Sequence, residues 1–367
     1  MSFITHFDNL EDTRSHINKK HELLDIIFLT VVAILSGAEG WKDIKQFGDS
    51  KLEWLRQFRD FEAGIPVDDT IARIISRLEP SALLSCFMSW VNEIRESNGQ
   101  SVIAFDGKTL RHSFYGDRKT ALHSVSAYAV EQGLVLAQRK SLSKKNEVST
   151  VLELIELLEL KGHVMTADAM HCLKKVTLAV DKKGGDYALQ VKDNQGKLAN
   201  EIKAYFHKVR RDAPEELKKH TLSLTNDGHG RVEHRQYVQL PVTEWLEQRK
   251  GWSNLKSVIE VTRTRYINEK ASSETAYYIS SLEVDLPRIA KVIRSHWAIE
   301  NASHWALDVT FKEDESRIRR GDAPENMATF RRLAMNLARL SPLKDSIKGK
   351  LKQAAWSDDA REKLIFG

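Results

Sequence analysis

Cysteine is nearly missing from this chain: Cys86 and Cys172 are the only two in 367 residues, in no metal-ligand spacing. That excludes a zinc finger and a disulfide framework, and it suits a reducing compartment. Proline is scarce, at 7 residues, and no low-complexity tract is present, which excludes a long disordered linker. Long apolar runs are missing too. The most apolar stretch, Ile26 to Ala38, spans 13 residues and is too short to cross a bilayer. Met1 to Glu22 is too polar for a signal peptide, and no fixed-period repeat occurs. The expectation is a cytoplasmic protein that makes no use of a membrane.

What is present is the composition of a folded, soluble protein, 41% hydrophobic and 29% charged, with enough length for two domains. The net charge of +5 conceals an asymmetry. Residues 1–100 hold 16 acids and 11 bases, so that part carries about −5 and the remainder about +10. A basic body suits a polyanion partner. A solvated surface with no such partner gives the same count.

Residues 20–95 read as helices. Leu23, Leu24, Ile27, Val31 and Ile34 recur at helical spacing, followed by Trp41 to Phe47, Leu52 to Phe58, an Ile71/Ile74/Ile75/Leu78 stripe and a helix over Ser81 to Glu96. Asn98-Gly99 marks a boundary, giving domains 1–98 and 99–367. Beyond it the period changes. Ser101 to Phe105, Leu122 to Val130 and Leu134 to Ser141 read as strands, with a turn at Glu131-Gln-Gly. A helix over Val148 to Leu160, a strand ending at Asp168, a helix from about His171 to Lys182 and a strand over Tyr187 to Val191 follow. This order predicts an α/β fold with a ribonuclease-H-like mixed sheet, in which the first and fourth strands are neighbours. Strand-like segments at Arg235 to Leu240, Leu255 to Arg265 and Thr275 to Ser280 predict a β-rich insertion at about 210–282. Helical signals resume at Asp285-Leu-Pro, and again from Asp322 to about Leu340.

Two acids close apolar runs: Asp106 after Ser101 to Phe105, and Asp168 after His163 to Ala167. Strand ends are where open α/β sheets keep their chemistry. Asp106 before a glycine also suits a turn, and Asp168 also suits a helix cap. Glu300, inside a charged helical stretch, taken alone reads as a solvated surface acid. His296, Glu300 and His304 stand four apart, so a zinc site is a further reading, although no nearby cysteine supports it.

Four segments carry a resemblance: Ile103-Ala-Phe-Asp-Gly-Lys-Thr-Leu-Arg, Thr166-Ala-Asp-Ala-Met-His, Val191-Lys-Asp-Asn-Gln, and His296-Trp-Ala-Ile-Glu-Asn-Ala-Ser-His-Trp-Ala-Leu-Asp-Val-Thr-Phe. They resemble the bacterial insertion-sequence DDE transposases, in particular the H-repeat-associated group. The N-terminal helices, with Gly64-Ile-Pro-Val-Asp-Asp-Thr and Ile75-Ser-Arg-Leu-Glu-Pro, are similar to the small all-α domain that precedes the catalytic domain there. The resemblance implies that Asp106, Asp168 and Glu300 are the catalytic acids and the ligands of two Mg²⁺ ions, with Mn²⁺ as a substitute. Two such ions about 4 Å apart activate the attacking oxygen and neutralise the leaving one. It further implies cleavage of phosphodiester bonds at element ends, strand transfer into target DNA, double-stranded DNA as partner and a homodimer on that DNA. A catalytically inactive DNA-binding remnant, and a general nuclease without strand transfer, are the other functional readings. Asp308, Glu313 and Asp314 are alternative third acids.

The chain departs from many bacterial relatives around Glu300. Where they carry a tyrosine seven residues before it, an arginine four before and a lysine seven after, this chain has Ile293, His296 and Leu307. Lys108, Arg111, Lys192, Arg294, His296 and His304 are the candidate DNA contacts beside the acids. Lys144 with Lys145, and Arg317 with Arg319 and Arg320, form further basic clusters. Arg331, Arg332 and Arg339 read as a mixture of surface and DNA-facing residues.

Overall fold

The computed structural model describes residues 3–15, 19–95, 101–114, 121–141, 146–228, 231–267 and 270–367. The Asn98-Gly99 boundary and the Lys144/Lys145 pair fall outside them. Four helices come first: α1 (Leu23–Leu35), α2 (Trp41–Leu55), α3 (Asp68–Ile75) and α4 (Pro80–Ile94). In α1 every residue but Leu24 is buried, which accounts for the one strongly apolar run as a core helix. Its single acid, Asp25, accepts hydrogen bonds from Arg59 Nε at 3.0 Å and from the Phe61 backbone N–H at 3.2 Å, so its charge is matched inside. The two apolar stretches read around Trp41 and Leu52 form one helix, kinked at Lys51. Pro80 opens α4, where its missing N–H costs nothing.

The strands β1 (Val102–Thr109), β2 (His123–Ala129), β3 (Leu134–Ser141), β4 (Val164–Ala167) and β5 (Asp186–Val191) follow, with helices α5 (Glu147–Leu157) and α6 (Lys174–Lys182) flanking β4. Next come α7 (Gly196–Asp212), α8 (Pro214–Lys219), β6 (Thr221–Gly228), β7 (Arg231–Pro241), β8 (Ser257–Ile267) and β9 (Lys270–Ser280). The described strands form a single sheet in the order β3-β2-β1-β4-β5-β9-β8-β7-β6. The first five have the ribonuclease-H-like order, with β4 parallel to β1 and β5 parallel to β4. The insertion strands continue this sheet: β9 pairs antiparallel with β5, from Ala188↔Ser280 to Val191↔Tyr277.

The chain divides into two compact units, one of residues 1–97, 107–147 and 299–367, the other of residues 98–106 and 148–298. In the second unit, α9 (Leu286–Ser295) packs on β4 to β7. Its start is capped by the Asp285 carboxylate, which accepts from the Arg288 N–H at 3.1 Å. The first unit is built around α11 (Ala323–Leu340), which packs against α1, α4 and β3. α10 (Trp305–Val309), α12 (Ile347–Trp356) and α13 (Asp358–Ile365) belong to the same unit.

Helix α11 corrects a reading of the sequence. Arg331 and Arg332 are buried, at 2% and 0% exposed, and face neither solvent nor DNA. Arg332 Nη1 donates to Glu313 Oε1 at 2.6 Å, and Arg331 donates to Ser316 Oγ at 3.1 Å. Arg339 donates to the Ala302 carbonyl at 2.7 Å and lies over the Tyr128 ring. The helix is amphipathic in composition but enclosed in fact, because partners distant in sequence neutralise its polar face.

Candidate active site

Strand β1 does not stop at Asp106 but runs through Gly107 and Lys108 to Thr109. Its parallel pairing with β4 ends at Phe105↔Ala167. Asp106 and Asp168 are each one residue beyond that last pair, Asp106 still within β1 and Asp168 just past the end of β4. Both acids therefore stand at the same end of neighbouring parallel strands in the second unit. Asp106 is half-buried and the Asp168 side chain is 58% exposed.

Asp168 is held from two sides. His296, at the C-terminal cap of α9, places Nε2 3.5 Å from Asp168 Oδ1 and Nδ1 3.2 Å from Thr166 Oγ1. Hydrogen bonding from His296 holds the Asp168 carboxyl below the usual carboxylate range against the opposing effect of burial, and Lys192 adds to it. The carboxylate is therefore ionised at neutral pH. The turn after Asp168 is itself clamped by the loop after β5: Asn194 Nδ2 donates to the Ala169 carbonyl at 2.7 Å, and Gln195 Nε2 to the Cys172 carbonyl at 3.1 Å. Sequence reasoning assigned no role to Thr166, Asn194 or Gln195. The local words around Asp168 and Lys192 contained them, but not the pairing.

In the first unit, the strand beyond Asp106 leans on a buried network. His123 Nε2 lies 2.7 Å from Glu147 Oε2, and its Nδ1 lies 2.8 Å from Thr109 Oγ1. A Cβ on Gly107 would stand 2.6 Å from Glu147 Oε1, so the buried Glu147 side chain would have to shift from its place beside His123. Gly107→Ala is expected to destabilise the protein by roughly 1–3 kcal/mol through overpacking. Urea denaturation checks this, and an unchanged midpoint contradicts it.

Glu300 belongs to the first unit, exposed on a π-helical segment, Ile299–His304, and forms no ion pair among the described residues. π-Helical turns are uncommon and recur at functional sites. They also break the four-residue register on which the zinc reading of His296, Glu300 and His304 depended. Among the described residues no three His, Cys, Asp or Glu side chains are grouped to hold a metal. The alternative acids are already engaged. Lys108 Nζ lies 2.6 Å from Asp308 Oδ1 and 2.9 Å from Asp314 Oδ1, and Glu313 is sealed against Arg332. Lys108, at 8% exposed, thus turns its charge inward.

The remaining candidate contacts divide by environment. Lys192 and Arg111 are exposed, the latter with Nε 3.3 Å from Asp314 Oδ2. Arg294 donates to Asn226 Oδ1 at 2.7 Å. Burial pushes His304 down to about 3, helped by the Arg332 and Lys108 charges, so its ring is neutral in the folded protein. Charging that ring opposes the fold, so stability linked to it is complete above about pH 6.5 and is lost as the pH falls toward 3. Imidazole ¹⁵N shifts should report a neutral His304 at pH 6; a ring titrating near 6.5 contradicts this environment. Ile293 and Leu307, which stand where relatives carry phosphate-contact residues, are buried.

The described helices include none long and apolar enough to cross a membrane. The Transposase DDE domain model matches residues 97–337, and the DDE_Tnp_1-associated model matches residues 4–91. This chain is similar to the protein named "Putative transposase YncI" of Escherichia coli O157:H7, 41% identical over 99% of this chain and 94% of that one. It is also 38% identical to the "H repeat-associated putative transposase YhhI" of Escherichia coli strain K12, over 99% of this chain and 97% of that one. Among solved structures, a piggyBac transposase synaptic complex with hairpin DNA aligns over 98% of this chain and 77% of that chain at 9% identity, with a TM-score of 0.43. The chain belongs to the DDE transposase family, with the DDE-associated domain at its N-terminal end.

Proposed function

We propose that this protein is a metal-dependent DNA transposase that cuts phosphodiester bonds at the ends of an insertion sequence and joins those ends to target DNA. The observation that carries the reading is the pair of acids at matching positions beyond Phe105↔Ala167, one of them held ionised by His296. Hard, ionised carboxylate oxygens fit Mg²⁺, and Mn²⁺ equally in kind. Two such ions supply an activated oxygen nucleophile and charge neutralisation at the leaving oxygen.

The chain's own residues bind and orient. Asp106 and Asp168 provide the ligands on the sheet, and Glu300 is the third. His296 fixes the direction of the Asp168 carboxylate through its contacts with Asp168 and Thr166. Lys192, Arg111 and Arg294, all exposed, offer cations to the phosphates of double-stranded DNA. Residues 1–98 form the associated domain and 99–367 the catalytic one, and pairing two DNA ends calls for a homodimer.

The assignment of the third acid has its own test. Glu300→Gln should abolish Mg²⁺-dependent cleavage of DNA bearing the element ends, while Asp308→Asn, which breaks only a link to Lys108, should keep at least about a tenth of it. Gel-resolved single-turnover cleavage decides. The reverse ranking moves the third ligand to Asp308.

A further inference from the structure

Away from the acids, the first unit contains a cleft of about 760 Å³ whose charge the proposed chemistry leaves unused. Arg73 and Arg77 line one wall, from the end of α3 and the turn after it; Arg317, Arg319 and Arg320 line the other. Roughly 250 residues separate the walls in sequence. They are nevertheless stitched together. The Asn326 side chain donates to the carbonyls of Ile75 at 2.8 Å and Leu78 at 2.9 Å, and the Asp322 N–H donates to the Ser76 carbonyl at 3.3 Å. Gly321 sits at φ +52°, and a Cβ there would stand 3.0 Å from that same carbonyl oxygen, so the close approach needs glycine.

The cleft gathers five arginines. None of the five forms an ion pair among the described residues, so their charge is not offset locally by a carboxylate at ion-pair distance. Arg73, Arg77, Arg317 and Arg320 are exposed. Arg319 is oriented by donating Nε to the His112 carbonyl at 3.0 Å and by lying 4.7 Å over the Phe114 ring. Asp69 is the one acid in the lining. Like charges lining one cleft repel one another, with screening over about 8 Å at physiological salt. A bound anion offsets that repulsion, and the planar donor fork of arginine matches phosphate oxygens.

We infer that this arginine cleft is a second DNA-binding surface, which grips the phosphodiester backbone of duplex DNA away from the site of cleavage. Arg73 and Arg77 also line a second cleft of about 690 Å³, together with Lys20, with Arg14 paired to Asp12, and with Glu11. Arginines shared between two clefts suit a run of phosphates better than one small phosphorylated molecule. The choice of DNA over another polyanion rests on the proposed function; the anion site itself rests on the arginines.

The test uses the full chain carrying Asp168→Asn, so that cleavage does not interfere, and a duplex containing the element end. The Arg73→Glu/Arg77→Glu and Arg317→Glu/Arg320→Glu pairs should each weaken binding at least about tenfold near 0.1 M salt. Each should also shallow the slope of log K against log salt by about 2, one unit per lost phosphate contact. The corresponding lysine pairs should retain most of that slope, which separates charge from folding. Unchanged slope and affinity in both glutamate pairs overturns the cleft. Loss of single-stranded RNA or acidic-peptide binding, with duplex binding intact, overturns DNA as its occupant. A wild-type protein that binds ends through these arginines but never cuts them would defeat the catalytic reading and leave the cleft standing.

Discussion

Asp168→Asn should reduce Mg²⁺-dependent cleavage at element ends by a factor on the order of 10³ or more, equivalent to roughly 4 kcal/mol of lost transition-state stabilisation. The substitution keeps the size of the side chain and its place beside His296, and removes the negative charge that a divalent cation needs. His296→Gln leaves the carboxylate in place but frees its orientation, so the expected loss is smaller, about 10- to 100-fold, and is seen as weaker metal dependence. A metal titration of single-turnover cleavage separates the two: His296→Gln should recover with added Mn²⁺, and Asp168→Asn should not. Equal losses without recovery would mean that His296 touches the reacting phosphate itself.

The second large effect concerns stability. Arg332 and Glu313 are both fully buried and joined at 2.6 Å. Burial alone would raise the Glu313 carboxyl, but Arg332, Lys108 and Arg331 outweigh it and keep its pKa below the usual range. Arg332→Met strands that carboxylate inside the unit and should destabilise the protein by about 3–5 kcal/mol. The double replacement Arg332→Met/Glu313→Leu removes both charges and should restore most of the loss, because the pair's desolvation cost disappears with it. Urea midpoints at constant slope report both results. If Arg332→Met behaves like a surface substitution such as Lys45→Met, the buried pair does not hold this unit together.

How far these features were legible in the sequence depended on whether their causes were local. The strands ending near Asp106 and Asp168 showed as apolar runs closed by an acid, and the register Phe105↔Ala167 has the adjacency expected of first and fourth strands. The hairpin at Gly133 matched as well, since its φ of +71° is a local demand. Features set by distant partners were invisible. Arg332 looked like a surface residue because Glu313, which neutralises it, comes from another element. Lys108 looked like a DNA contact because Asp308 and Asp314 lie about 200 residues away. The insertion showed its strands, but its attachment through β9 to β5 is a choice of edge that no periodicity encodes. β6 was missed because its alternation is short, only Leu222 and Leu224 between polar residues, and its end, Asn226-Asp-Gly, reads as a turn. The π-helical turn at Glu300 has no sequence signature at all.

The most direct test of the central claim is to incubate the purified protein, with Mg²⁺, with DNA carrying the element's terminal repeats and a separate target duplex, and to sequence the products. The account predicts ends cut at the repeat boundary and covalently joined to target, with neither product from Asp168→Asn. Repeats bound yet left uncut by the wild-type protein, or DNA cut irrespective of the repeats and never joined, would contradict it.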